Sequence, residues 1–250
     1  MPTLSQQYIK PPWQIDSVKA FSTTRLGGHG TEPYKHFNLG LHVGDDPETV
    51  AKNRSKLVTD LQLPNDPVWL EQVHGTDVIY ATNSTCDVPC ADALWTDQRG
   101  CVLSIMTADC LPVLFASREG EVIAAAHAGW RGLASGVLQN TVAQLPVAAE
   151  QLSAWIGPAI GPDHFEVGPE VLSAFLEVDP GCDQCFSPSC TKSEKYYADI
   201  FALSRRCLES IGVQDIYGGD QCTFDDEERF FSYRRDQGNT GRMASVIWLS

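Results

Sequence analysis

Apolar residues in this chain gather in short runs, and most of the runs lie in its middle. Val68 to Val73 and Asp77 to Ala81 read as strands on either side of a turn at Gly75. Cys101 to Met106 and Leu111 to Ala116 are rich in Val, Ile and Leu without alternation, the pattern of strands buried on both faces. Glu121 to Ala126 continues the set, joined to its predecessor by a turn over Ser117-Arg118-Glu119-Gly120. From Gly132 to Leu145 the period lengthens, and Leu133, Val137, Leu138 and Val142 fall on one helical face. Ala154 to Ile156 is a strand stopped by Gly157-Pro158. Pro169 to Leu176 reads as a helix opened by a proline whose missing N–H costs nothing there. Ile200 to Gly212 is a second helix closed by a glycine, and Val246 to Leu249 is a last strand. Strands and helices in this irregular order predict an α+β fold with antiparallel or mixed sheets.

Bulk properties narrow the function class. The 250 residues, 43% of them hydrophobic, carry no Ser/Gly/Pro-rich linker, which predicts a single domain over residues 1–250 with a large core. Thirty-two acidic against 18 basic residues give a net charge of −14. Such a surface repels phosphate backbones and anionic membranes, so neither nucleic acid nor a membrane is an expected partner. A small anionic substrate remains compatible, because a few arginines dominate the field inside a pocket. The first residues, MPTLSQQYIKPPWQ, lack the basic and apolar segments of a secretion signal. Nine cysteines, an odd number scattered through the chain, argue for reduced thiols and a cytoplasmic location. The oligomeric state stays open.

Among the six histidines, His74 and His127 each follow a strand-like run beside small residues, and Cys110 sits between two apolar strands. Glycine and alanine at such positions let a ligand approach the backbone closely. Taken singly, each side chain is as well explained by packing or a hydrogen bond. Together, two His and one Cys form a donor set suited to catalytic zinc, which takes three protein ligands and keeps a fourth position open. The separations of 36 and 17 residues match no compact zinc motif. Cys182-Asp183-Gln184-Cys185, with Cys190 close by and Cys222 far off, is a CxxC that reads as half a structural zinc site, a redox pair or functionless loop thiols.

The blocks EQVHG, TADCLP and AHAGWRG, in that order, resemble the signatures of the YfiH family, also called multicopper polyphenol oxidase or laccase-domain proteins and later purine nucleoside phosphorylases. The likeness extends to FSTTR at 21–25, NLGLHVGDD at 38–46, WIGPAIGP at 155–162, FFSYRRD at 230–236 and TGRMAS at 240–245. The resemblance implies layered mixed sheets flanked by helices, similar to the catalytic domain of cytotoxic necrotizing factor. It also implies that His74, Cys110 and His127 hold zinc and form the catalytic centre, with copper as another ion the set would accept.

The implied reactions are phosphorolysis of adenosine, inosine, guanosine or methylthioadenosine, with adenosine deamination beside it; the partners are then a nucleoside and phosphate. Arg25, Arg131, Arg234 and Arg242 lie in the matching blocks and are candidate phosphate forks, or else partners in surface and structural ion pairs. Asn38 and Gln72 are candidates for reading base or ribose, or for bracing their own turns. Asp109 is a candidate to orient a ligand or carry a proton. A rival within the same family is amide hydrolysis of UDP-muramoyl cell-wall precursors, with Cys110 as nucleophile activated by His127 or His74. Copper-dependent polyphenol oxidation is disfavoured, since a trinuclear cluster plus a blue-copper centre needs about ten histidines and the chain has six. A structural zinc module would need a fourth protein ligand.

Overall fold

The computed structural model describes the chain except Met1, Cys86 and Thr191. In chain order the strands are β1 (Tyr8–Ile9), β2 (Val18–Thr23), β3 (Val78–Tyr80), β4 (Ala93–Thr96), β5 (Val102–Thr107), β6 (Leu111–Ser117), β7 (Ile123–Ala128), β8 (Leu152–Ile156), β9 (Glu166–Val167), β10 (Phe186–Pro188), β11 (Tyr196–Ala198), β12 (Asp215–Gly218) and β13 (Met243–Leu249). The helices are α1 (Leu4–Gln7), α2 (Pro47–Leu61), α3 (Trp130–Ser135), α4 (Val137–Gln144), α5 (Pro169–Val178) and α6 (Ile200–Ser210). The class is α+β, as the sequence predicts.

Two sheets form the centre. One is antiparallel in the order β1-β2-β13-β5. The other is mixed, in the order β12-β8-β6-β7-β4-β3, with parallel pairs at both edges and antiparallel pairs between. They pack face to face, and the alternation of side chains sorts each strand between two layers. Leu114 and Ala116 of β6 and Ile123 and Ala125 of β7 meet Ile247, Leu249, Leu103 and Ile105 between the sheets. Val113 and Phe115 of β6 and Ala124, Ala126 and Ala128 of β7 face the helices α3–α6. Across the molecule, Val246 and Trp248 face α2 through Leu57. The layers are therefore helix, sheet, sheet and helices, and β5, β6, β7, β8 and β13 are buried along their whole length. Burial on both faces explains why they read as unbroken apolar runs.

Several local expectations change. Val68 to Val73 is extended but joins its neighbours only through isolated bridges at Val68 and Glu71. The stretch expected as one helix from Gly132 to Leu145 is two, broken at Gly136, whose φ of +98° caps α3. Strand β7 runs two residues further than its apolar run, so His127 lies inside the strand. The short elements α1, β1, β4 and β9 to β12 have no counterpart in the hydrophobic pattern, nor do β2 and the 15-residue α2. That helix starts on an Asp46 side-chain cap and a first-turn proline, and buries only Val50, Asn53 and Leu57, too narrow a stripe to stand out. No helix among the described residues is long and apolar enough to cross a membrane.

Candidate metal centre

The β5–β6 connection, the end of β7 and the loop before β3 converge at one end of the sandwich, carrying Cys110, His127 and His74 respectively. One donor atom from each lies within 4.8 Å of the others, and no other group of three such residues forms among the described residues. Cys110 Sγ stands 3.6 Å from His74 Nε2. A tetrahedral ion with bonds of about 2.3 Å to sulfur and about 2.0–2.1 Å to nitrogen holds those atoms about 3.6 Å apart, so the donor set fits a first-row metal ion. The two imidazoles meet edge to face with centroids 4.8 Å apart.

Asp92, fully buried just before β4, organises both histidines. The β4–β7 register sets it beside His127, whose backbone N donates to Asp92 O at 2.7 Å. Its Oδ1 accepts His127 Nδ1 at 2.8 Å, which leaves Nε2 for the cleft. The same carboxylate accepts the backbone N–H groups of Val73, His74 and Gly75 at 3.2, 2.9 and 2.6 Å. His74 is held in the left-handed region, φ +61°, a conformation that costs a non-glycine residue about 1–3 kcal/mol and persists when neighbours enforce it. Gln72 adds a second tie, donating to Met106 O and accepting from Met106 N, both at 2.8 Å.

A second buried carboxylate fixes the cysteine. Asp109, also left-handed at φ +82°, accepts Thr223 Oγ1 at 2.6 Å, Ser232 Oγ at 3.0 Å and the Arg234 backbone N at 2.6 Å. Both oxygens are committed to the fold, so Asp109 positions the Cys110 turn and is poorly placed to carry a proton. Gly129 supplies the space: a Cβ there would lie 2.7 Å from His74 Cδ2 and 3.1 Å from Cys110 Sγ.

Burial alone would push the Cys110 thiol up, but the charge and hydrogen bonds of His127 and His74 outweigh it and pull the thiol well below its usual range. Burial likewise opposes a charged His127, and the Cys110 thiolate and Asp92 overcome it and raise the imidazole. Burial disfavours the Asp92 carboxylate too, yet hydrogen bonds from His127 and Gly75 hold it ionised and below the usual range. Both shifts favour a thiolate beside an imidazolium, and a cation binding there would take the place of the imidazolium proton.

The triad lies in a cleft of ≈ 820 Å³ whose apolar walls include Trp69, Met106, Trp130 and Phe165. Gln72, Arg131, Arg234 and Arg242 line it as well. Arg131 lies over the Trp130 ring at 4.5 Å. Asn38 is fully buried; its Oδ1 accepts the backbone N of Arg242 at 2.9 Å, so its link to the cleft runs through that arginine. Arg25 lines a different hollow, with Glu32 and Glu227, where it donates to Lys35 O and Glu227 O. Cys182, Cys185, Cys190 and Cys222 are free thiols that form no metal-binding group of three. Two cleft residues, His42 and Arg54, escape the sequence reading; Arg54 stands mid-helix in α2, where a lone arginine looks like solvated surface.

A family model described as multi-copper polyphenol oxidoreductase laccase matches residues 19–250. The chain is 51% identical to a protein of Escherichia coli named purine nucleoside phosphorylase YfiH, over 96% of this chain and 98% of that one. It is 46% identical to a purine nucleoside phosphorylase of Haemophilus influenzae, over 97% and 99%. Among solved structures, a Neisseria meningitidis protein superposes with a TM-score of 0.93 at 46% identity, covering 98% of this chain and 99% of that one. YlmD from Geobacillus stearothermophilus gives 0.89 at 32% identity, covering 99% and 98%. By these full-length matches the chain belongs to the laccase-like YfiH family.

Proposed function

We propose that the chain is a zinc-dependent purine nucleoside phosphorylase, converting adenosine, inosine, guanosine or methylthioadenosine to free base and pentose 1-phosphate, with adenosine deamination at the same centre. The observation that carries this reading is the donor triad on the floor of a ≈ 820 Å³ cleft with apolar walls. Small-molecule sites are of about this size, 300–1,000 Å³, and are lined mainly by apolar side chains around a few polar groups. The names of the full-length relatives support the same chemistry. Zinc is the ion that the His₂Cys set favours when one position is left open, although copper also suits it.

A zinc ion held by the three donors would supply Lewis-acid chemistry at the reacting end of the cleft. The chain's own part is to keep His74, Cys110 and His127 rigid through Asp92 and Asp109, and to exclude water with aromatic walls that suit a purine ring. Phosphorolysis forms a bond from a phosphate oxygen to C1′ as the C1′–N9 bond breaks. The electron pair leaves with the base, and the proton of hydrogen phosphate ends on the base. Arg131, exposed at the cleft wall, is a binder of the substrate in this reading.

Adenosine supplied with and without phosphate tests the proposal. Adenine and pentose 1-phosphate appearing only with phosphate supports phosphorolysis; inosine formed regardless of phosphate supports deamination; neither product from metal-loaded protein rejects both. One observation favours a second reading, amide hydrolysis on cell-wall precursors: the Cys110 thiol lowered by two imidazoles is the arrangement of a cysteine nucleophile. Amide cleavage that survives chelation and is abolished by thiol alkylation would select it.

A further inference from the structure

A second group of polar side chains, opposite in character to the donor triad, also lines the cleft. Arg54 from α2, Arg242 just before β13 and His42 all line it. In a chain with 32 acidic and 18 basic residues, a half-buried guanidinium normally finds a carboxylate. Among the described residues, neither Arg54 nor Arg242 has an ion-pair partner.

What holds them is uncharged. Arg54 lies over the Trp69 ring at 3.9 Å, and its Nε and Nη2 donate to Leu39 O at 3.0 and 2.9 Å. Arg242 Nη1 donates to Thr240 O and Gly241 O at 3.1 and 3.0 Å, and its backbone is anchored by Asn38. The stems are immobilised, while Nη1 of Arg54 and the Nε–Nη2 edge of Arg242 keep donors with no protein acceptor among the described residues. Desolvation lowers the pKa of Arg54 to about 10 with no acidic neighbour acting to restore it. Burial is the largest influence lowering His42, followed by the charges of Arg242 and Arg54, so the two guanidiniums reach one neutral imidazole and share one field. Burial lowers Arg242 most, and its neighbours Cys110, Tyr233 and Asp109 act against that, which sets this guanidinium near the triad.

We propose that Arg54 and Arg242, with His42 at the rim, form a phosphate subsite in the metal cleft. Desolvated forks fixed by carbonyls and an aromatic face, with no salt-bridged carboxylate among the described residues, are an arrangement completed by a tetrahedral oxyanion. The assignment deepens the phosphorylase reading and rests on it for the identity of the occupant, inorganic phosphate. A phosphate ester carried by the substrate has the same chemistry and is the other source.

The test uses the metal-loaded full chain with Arg54→Gln and Arg242→Gln, and with Arg54→Lys to keep charge without the fork. Metal content and thermal midpoint are checked for each variant. Binding of inorganic phosphate is measured by calorimetry at low salt, beside adenine formation with phosphate varied. Loss of charge-assisted hydrogen bonds weakens phosphate binding and raises its KM by about 10- to 100-fold in the glutamine variants, less in Arg54→Lys, with the KM for adenosine within about twofold. Unchanged phosphate affinity in both glutamine variants overturns the subsite, even where adenine is still made. Phosphate that binds the wild type and not the variants, without any adenine formed, upholds the subsite and sinks the phosphorylase reading. Adenosine monophosphate that binds more tightly than adenosine, with the difference lost in the variants, upholds the subsite with an ester as its source. A wild type that binds neither phosphate nor the monophosphate overturns it.

Discussion

Cys110 and the thiols of Cys182, Cys185 and Cys207 occupy opposite electrostatic surroundings in one chain. Around Cys110 stand two imidazoles, one of them tied to a buried carboxylate, and the thiol is drawn down toward thiolate. Cys182 and Cys185 sit on the turn Pro180–Cys185, and Cys207 on α6. Burial and then the neighbouring Cys182 push Cys185 up to about 11 and Cys207 up to about 12, while burial and Asp179 push Cys182 up. Burial acts in the same direction at every one of these thiols. The difference lies in which charged groups reach them, and that decides which thiol can bind metal or react.

The largest effect expected from breaking this contrast comes from the cysteine itself. Cys110→Ala removes one of three donors, and we expect loss of stoichiometric metal in elemental analysis and a fall in turnover of at least about 100-fold, since such effects on outer partners alone reach 10- to 100-fold. A variant that still binds one ion per chain would show that the donor set is wrong. Next comes Asp92→Asn, which keeps shape but must present an amide N–H either to His127 or to the His74 loop. Metal affinity should drop about 10- to 100-fold in chelator competition, with the far-ultraviolet dichroism unchanged. An unaltered affinity would make Asp92 a purely structural group. The smallest effect is kinetic. In metal-stripped protein, alkylation of Cys110 should slow little between about pH 8.5 and pH 7, because a lowered pKa keeps the thiolate populated. At Cys185 and Cys207 the raised pKa lies above that window, so their rates should fall about tenfold per pH unit. Peptide mapping reads the slope, and a Cys110 slope as steep as theirs would remove the contrast.

The same contrast marks what the sequence reveals. Fully buried strands announce themselves through unbroken apolar runs, so β5, β6, much of β7 and the end of β13 are legible, as are α5 by its opening proline and α6 by its closing glycine. A CxxC draws the eye because its spacing is local, yet its thiols are the ones whose surroundings push the pKa up. His74, Cys110 and His127 have no local spacing and are legible only through the family blocks around them. Asp92 is invisible for a related reason: it meets His127 through the β4–β7 register and His74 through a loop, contacts that neighbour identity does not encode. Arg54 stays hidden because α2 buries a narrow stripe and its arginine resembles a solvated charge.

Gly129 also has a genetic consequence. Every amino acid one base change away from a glycine codon carries a Cβ, and a Cβ at this position falls 2.7 Å from His74 and 3.1 Å from the Cys110 sulfur. Any missense change at that codon therefore drives an atom against the His74 ring and the Cys110 sulfur, in the turn between β7 and α3. The codon is a place where a single base change reaches the space between His74 and Cys110 directly.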